Sequence, residues 1–229
     1  MKKLLIIIDG MDDEPNPALG NLTPSHFAYM PALQYMREKG NVSWQNTIPS
    51  GYQAGTEVAV LDILGYDIPK DFCTRSWFEA LGYGLEVKNG DLCLRCNLIS
   101  HSDGILTSHC GSEVSPWQCH EIVDILNDRF GSEKIEFINC GNFRNLLIVH
   151  ETEASIKAEA PHEESHIIDT WKKVRVLEDI DRELLMSMLK EKINLEITVQ
   201  SDHGTSSISG LHLDTPVEVV RYILIRDEK

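Results

Sequence analysis

The sequence is poor in positive charge, since its 229 residues include 21 Lys and Arg against 36 Asp and Glu, for a formal net charge of −15 at pH 7. A nucleic-acid partner is therefore not expected, because no Lys/Arg stripe is present to neutralise phosphates. Long apolar runs are also missing: only five apolar residues, 4–8, separate Lys3 from Asp9, which is too few for a signal peptide or a membrane span. We expect a cytoplasmic protein with no membrane partner.

The spacing of the cysteines does not indicate a disulfide framework or a zinc site. Of the six cysteines, only Cys93 and Cys96 have Cys-x-x-Cys spacing, and no second pair lies at zinc spacing. We interpret them as buried free thiols, with a metal or redox role for the pair as the alternative. A chain that is 42% hydrophobic can bury a full core without disulfides.

Short apolar runs alternate with helical patterns, which predicts an α/β fold with a mainly parallel sheet flanked by helices. We predict a discontinuous metal-binding core, residues 1–85 plus 151–229, and a small inserted α+β domain at 86–150 that binds substrate or caps the site. Helices are predicted at 30–39, 56–64, 116–130 and 168–190. Strands are predicted at 3–8, 42–48, 92–99, 104–109, 134–138, 143–149, 155–160, 195–199 and 217–225.

Metal-type ligands follow two of these strands. Asp9 comes directly after the first apolar run, and Asp202-His203 follows the run Leu195–Val199, with His212 nine positions further on. Ligands gather at the carboxyl edge of an α/β sheet, so this pattern predicts a metal site there. Carboxylates and imidazoles without thiolate suit Zn or Mn, with Mg and Co as further options.

Three other residues could join this chemistry. His162 and His166 lie four positions apart, so on a helical turn both rings would point the same way, although such a pair is often an ordinary surface feature. Thr56 begins a predicted helix, where it could be an N-cap, a nucleophile whose hydroxyl is activated by a metal, or both.

Three stretches in the first half of the chain carry a resemblance: Asp9-Gly10-Met11-Asp12-Asp13, Ala54 through Asp67, and Leu94 through Ile99. Two later ones follow in order, Glu159 through His166 and Asp202 through Val217. Together they resemble the archaeal-type, cofactor-independent phosphoglycerate mutases of the alkaline phosphatase superfamily over nearly the whole chain. The resemblance implies an alkaline phosphatase-like core.

The resemblance also implies roles for individual residues. One divalent ion would be held by Asp9, Thr56, Asp202 and His203, and a second by His162, His166 and His212. Arg95 and Arg144 match arginines of the family that would clamp the phosphate or carboxylate of the substrate, and Arg75 is a further candidate. An ordinary surface salt bridge is the alternative for each arginine.

The chain departs from the family pattern in three places. Thr56 stands where the family has a nucleophilic Ser. His162 stands where the family has an Asp ligand, which favours Zn over Mg at the second site unless that site is lost. A long segment that the family carries between Val149 and Ile156 is absent.

We therefore expect phosphoryl transfer on a small phosphate monoester through phosphothreonine, with conversion of 3-phosphoglycerate to 2-phosphoglycerate as the leading activity. A phosphatase of the same superfamily and a non-catalytic relative that binds a phosphometabolite or a partner chain are the alternatives. The smaller sheet could expose an edge strand or an apolar patch that pairs with a second copy, so a homodimer is a further expectation.

Overall fold

The computed structural model describes residues 1–108, 110–111, 114–152, 170–190 and 193–226. The chain divides into two compact units, Met1–Phe72 with His166–Lys229 and Cys73–Ser165. The predicted insert, residues 86–150, falls within the second unit. Within the described part of the chain, none of the helices combines the length and the apolar character needed to cross a bilayer.

The helices and strands follow one another along both units. The helices are α1 (Pro24–Phe27), α2 (Pro31–Lys39), α3 (Thr56–Ile63), α4 (Ile68–Asp71), α5 (Arg75–Gly82), α6 (Pro116–Phe130) and α7 (Thr170–Lys190), and a 3-10 helix spans Pro17–Leu19. The strands are β1 (Lys2–Ile8), β2 (Asn41–Gln45), β3 (Leu92–Arg95), β4 (Ser100–Ser102), β5 (Ile105–Ser108), β6 (Ile135–Asn139), β7 (Asn145–Val149), β8 (Leu195–Ser201), β9 (Gly204–Thr205), β10 (His212–Leu213) and β11 (Val217–Leu224). The strand predicted at 155–160 lies outside the described residues.

The first unit contains a four-stranded sheet in the order β1-β8-β11-β2. β1 and β8 are parallel, whereas β8 with β11 and β11 with β2 are antiparallel. The expected mainly parallel sheet is therefore a mixed one among the described residues. The reason lies in the link from β8 to β11, which holds the short β9–β10 hairpin and no crossover helix, so the chain returns in the opposite direction.

The core of the first unit lies between one face of this sheet and helices α2 and α7. Ile197, Val199 and Val220 contribute from the sheet, and Leu33 and Met36 from α2. Helix α7 contributes an apolar stripe to this core: Val174, Leu177, Leu184 and Met188 are buried, and Ile180 packs against them half-buried.

The second unit contains a three-stranded antiparallel sheet, β3-β7-β6, and the separate hairpin β4-β5. Ala80 of α5, Cys93 of β3 and Leu146 and Ile148 of β7 form its buried cluster. All six cysteines are free, and burial raises the pKa of the Cys93 and Cys96 thiols. The interpretation as buried thiols holds only for Cys93 and Cys119, because Cys73 is exposed and the other three cysteines are partly buried.

Candidate metal centre

Asp9, Asp202 and His203 meet at the carboxyl ends of the parallel strands β1 and β8. Within the described ranges, they are the one group of three or more carboxylate, imidazole or thiol residues whose ligand atoms all lie within 4.8 Å of one another. His203 Nε2 lies 3.6 Å from Asp9 Oδ1 and 3.4 Å from Asp202 Oδ2. Asp202 and His203 are fully buried, whereas the Asp9 side chain is 75% exposed, so the group opens to solvent on one side.

The hydrogen bonds of Asp202 leave one oxygen for a cation. Its Oδ1 accepts from the backbone N–H groups of Gly10 (2.9 Å) and His203 (2.8 Å). Its Oδ2 is buried and accepts no hydrogen bond from any described residue. An unpaired buried carboxylate oxygen is costly, and a divalent cation at this position would compensate its charge.

The imidazole of His203 also directs a possible ligand atom, Nε2, towards Asp9 and Asp202. Nδ1 lies 2.9 Å from the carbonyl oxygen of Gly204, which can only accept a hydrogen bond, so Nδ1 carries the proton of the neutral ring. Nε2 then keeps its lone pair and faces the two carboxylates. A backbone carbonyl that fixes the tautomer in this way is the usual support of a metal-binding histidine.

Thr56 lies beside this group. Its Oγ1 is 3.4 Å from His203 Nε2. The prediction that Thr56 is an N-cap is wrong, because Gly55 takes that position with an extended backbone (φ −177°) and Thr56 is the first residue of α3. The hydroxyl therefore stands at a helix N-terminus, where unpaired N–H groups and the helix dipole attract an anion.

A close contact between two loops forms the site. Gly10 adopts a left-handed φ of +60°, and a Cβ there would overlap the Thr205 hydroxyl, so glycine allows the loop after β1 to approach the loop after β8. The backbone N–H of Thr205 donates to Asp12 O at 2.8 Å and ties the same two loops.

His212 lies against His203 and outside the three-residue group. Their ring centroids are 4.2 Å apart with an interplanar angle of 32°, and His212 Nδ1 is 3.1 Å from Ala54 O. The carbonyl assigns the proton to Nδ1, as in His203. The structure thus places this residue next to the first group, while the other two residues predicted for a second ion, His162 and His166, lie outside the described residues.

Comparison with known proteins identifies the family. The sequence profile of the 2,3-bisphosphoglycerate-independent phosphoglycerate mutases matches residues 38–194, more than half of the chain. The chain belongs to the 2,3-bisphosphoglycerate-independent phosphoglycerate mutase family. The resemblance seen in the sequence is thereby confirmed. The matched range includes Thr56, whereas Asp9, Asp202 and His203 lie outside it.

Individual mutases match different shares of the chain. The enzyme of Pyrococcus furiosus is 36% identical over 127 residues, 56% of this chain and 31% of that protein. The enzyme of Methanosarcina barkeri is 31% identical over 71% of this chain and 41% of that protein. The enzyme of Pyrococcus abyssi is 30% identical over 84% of this chain and 50% of that protein. The chain therefore spans between about a third and a half of the length of these phosphoglycerate mutases.

Two solved structures share the fold. The PH0037 protein from Pyrococcus horikoshii superposes with a TM-score of 0.74 at 18% identity, covering 96% of this chain and 87% of that one. The cofactor-independent phosphoglycerate mutase from Thermoplasma acidophilum superposes with a TM-score of 0.52 at 16% identity, covering 97% and 90%. At these identities the likeness concerns the fold alone.

The three arginines that the mutase family suggested for substrate binding lie in the second unit. Arg75 Nε is 3.2 Å from Glu79 Oε1, and Arg95 Nε is 3.3 Å from Glu79 Oε2, so one carboxylate pairs with both. The Arg144 guanidinium lies 5.2 Å from the centroid of the Phe143 ring. Salt bridges were the alternative interpretation for these residues, and substrate binding by them stays a prediction.

Sequence reasoning missed the residues that hold the two loops together, chiefly Lys173 and its partner Asp13. Lys173 Nζ donates to Asp13 Oδ2 at 2.9 Å and to Thr205 O at 2.7 Å. Nothing in the sequence separates Lys173 from Lys172 and Arg175, because all three are charged positions of one amphipathic helix. The Asp9–Asp13 motif did contain Asp13, but without a reason to single it out.

Proposed function

We propose that the protein transfers the phosphoryl group of a small phosphate monoester, with Thr56 as the nucleophile at a divalent-metal site formed by Asp9, Thr56, Asp202 and His203. The proposed activity is that of a phosphoglycerate mutase, from 3-phosphoglycerate to 2-phosphoglycerate. The observation that carries the proposal is the buried, unpaired Asp202 Oδ2 beside the lone pair of His203 Nε2 and the hydroxyl of Thr56.

A divalent ion bound there would lower the pKa of the Thr56 hydroxyl and stabilise the charge that develops on the phosphoryl oxygens. The N-terminus of α3 would orient the phosphate through its backbone N–H groups. Thr56 Oγ1 would then form a bond to phosphorus while the bond from phosphorus to the substrate oxygen breaks. That oxygen leaves with the electron pair and takes up, through solvent, the proton that the Thr56 hydroxyl has lost. The product of this step is phosphothreonine and a bound alcohol.

The fate of phosphothreonine decides between two activities. A mutase keeps the alcohol bound until its other hydroxyl attacks the phosphothreonine and takes the phosphoryl group. A phosphatase admits water first. The chain lacks the long segment that the family carries between Val149 and Ile156, and a smaller enclosure would hold an intermediate less well against water. Hydrolysis is therefore the second candidate function.

A second ion, held by His162, His166 and His212, is part of the same proposal. The position of His212 against His203 supports it, since the centroids of the two imidazole rings lie 4.2 Å apart. Metal analysis of the purified protein is expected to give two equivalents of Mn or Zn per chain.

The test incubates Mn-loaded protein with 3-phosphoglycerate and monitors 2-phosphoglycerate and free phosphate together. 2-Phosphoglycerate would identify a mutase, and phosphate alone a phosphatase. Neither product together with no bound metal would refute the catalytic proposal and favour a non-catalytic relative that binds a phosphometabolite or a partner chain.

Thr56 is tested by a matched pair of variants. Thr56→Ala removes the hydroxyl and should lower turnover on the order of 10⁴-fold or more, while most of the metal binding by Asp9, Asp202 and His203 remains. Thr56→Ser keeps the hydroxyl and should retain activity. Normal turnover by Thr56→Ala would remove Thr56 from the nucleophile role.

A further inference from the structure

Lys173, in the first turn of α7, has an unusual environment for a lysine. Its side chain is only 10% exposed, whereas its neighbour Lys172 on the same helix is exposed. Nζ lies 2.7 Å from Thr205 O, 2.9 Å from Asp13 Oδ2 and 3.4 Å from Asp12 O. The three donors of the ammonium group therefore each have an oxygen partner.

These partners belong to the two loops that carry the candidate ligands. Asp12 and Asp13 follow Asp9 by three and four residues, and Thr205 follows His203 by two. The Asp13 carboxylate also accepts from the backbone N–H of Ser207, at 3.1 and 3.0 Å, and so reaches the second loop itself. One buried ion pair thus bridges both loops to the same turn of α7.

A contribution to stability does not by itself explain the buried ion pair between Lys173 and Asp13. Burying an ammonium and a carboxylate costs several kcal/mol for each ion, and a well-packed apolar pair of similar volume is often as stable or more stable. Burial lowers the pKa of Lys173, and the charge of Asp13 opposes that shift. The Asp13 charge offsets that of the ammonium group, and the hydrogen bonds of Lys173 to Asp12 O and Thr205 O tie it to both loops, so the pair can act through geometry.

We propose that Lys173 is a positioning residue whose ammonium group holds the Asp9 loop against the Asp202–His203 loop, so that the three ligand groups stay within reach of one cation. The inference rests on the proposed function, because it assigns Lys173 to that metal site. It predicts that metal affinity depends on a side chain that is not a ligand.

The test compares Lys173→Met with Lys172→Met. Methionine keeps most of the length of the side chain and removes its donors, and Lys172 is the exposed neighbour on the same helix. Mn²⁺ affinity is measured by calorimetry on the full chain, and the Tm of the metal-free protein is measured separately. Lys173→Met should weaken Mn²⁺ binding about 10- to 100-fold, the effect usual for groups that support metal ligands, whereas Lys172→Met should not change it.

A spectroscopic readout distinguishes positioning from stability. The visible absorption of Co²⁺ reports the arrangement of its ligands, so the spectrum of the Co²⁺ form should change in Lys173→Met and remain that of the wild type in Lys172→Met. If Lys173→Met does not fold, the same measurements are made on Asp13→Asn/Lys173→Met, which leaves no unpaired charge.

The outcomes separate the two proposals. A wild-type protein that binds neither Mn²⁺ nor Co²⁺ would overturn the proposed metal site itself. A wild-type protein that binds both, with a folded Lys173 variant that matches it in Mn²⁺ affinity and Co²⁺ spectrum, would overturn the role of Lys173 whatever happens to the Tm.

Discussion

Replacement of Asp12 by Asn should change how the stability of the protein depends on pH. Asp12 follows β1, and its Oδ2 accepts a hydrogen bond of 2.6 Å from the backbone N–H of Glu218. Burial raises the pKa of its carboxyl from 3.8 to about 6, and the charge of Glu218 adds to the rise. The hydrogen bond from the Glu218 backbone and the charges of Arg37 and Lys173 act in the opposite direction.

The raised pKa sets the sign and the size of the effect. Between pH 3.8 and about 6 the folded state retains a proton that the unfolded state has lost, so stability falls as pH rises through this window. This difference between the pKa of Asp12 in the folded and the unfolded state corresponds to about 3 kcal/mol of unfolding free energy. About 2 kcal/mol of it is lost between about pH 4.5 and 7.5. Asn is neutral throughout and does not lose this stability.

The assay is urea unfolding of the metal-free protein at about pH 4.5 and 7.5, monitored by circular dichroism. The free energy of Asp12→Asn relative to wild type should increase by about 2 kcal/mol from the lower to the higher pH. Asp128→Asn, at an exposed position of α6, controls for the loss of one negative charge. If the free energies of unfolding of Asp12→Asn and wild type differ by the same amount at both pH values, the reasoning is refuted.

Two further substitutions test the contacts around the site. Gly10→Ala should lower the free energy of unfolding by about 2–4 kcal/mol, since φ at Gly10 is +60° and a Cβ there would overlap Thr205 Oγ1. Adding Thr205→Ala to this variant should restore part of the lost stability. A double variant as unstable as Gly10→Ala alone would contradict the proposed clash. Arg37→Met should cost about 3–5 kcal/mol, because the Glu218 carboxylate, 6% exposed and bound by Arg37 Nη2 at 2.5 Å, would lose its partner. Arg37→Met/Glu218→Gln should be less destabilised in urea, and a double variant as unstable as the single one would argue against a charge effect.

Periodic segments could be predicted from the sequence, because their pattern reports burial directly. The bounds expected for α6 match the structure, and those for α2 lie within one residue of it. The described part of α7, Thr170–Lys190, falls within its predicted range, whose first two residues lie outside the described ones. The strand ends at Asp9 and Asp202 were also identifiable, since Asp9 comes directly after an apolar run and Asp202 follows the alternating strand pattern Leu195–Val199. Parallel pairing of β1 with β8 then brings Asp9 and Asp202 together.

Interactions between distant positions could not be predicted in this way. Asp181 is buried within α7, and its two oxygens accept from the N–H groups of Ala32 (3.0 Å) and Leu33 (2.7 Å) at the start of α2. The residue before that helix, Met30, makes no side-chain cap. The role of Asp181 cannot be predicted from its neighbours in the sequence, because its hydrogen-bond partners lie about 150 residues away. The role of Lys173 cannot be predicted either, because Asp13 and Thr205 are also distant in the sequence.

The order of strands in the sheet of the first unit has a consequence for how the chain folds during synthesis. β1 and β2 leave the ribosome before β8 and β11, yet among the described strands β1 pairs with β8 and β2 with β11, and neither partner begins before Leu195. The cap of α2 is supplied by Asp181, which also comes late. Contacts of such long sequence separation form slowly and leave early strands unpaired. The first unit therefore folds only when most of its chain has been synthesised, and its early strands need protection from other chains until then.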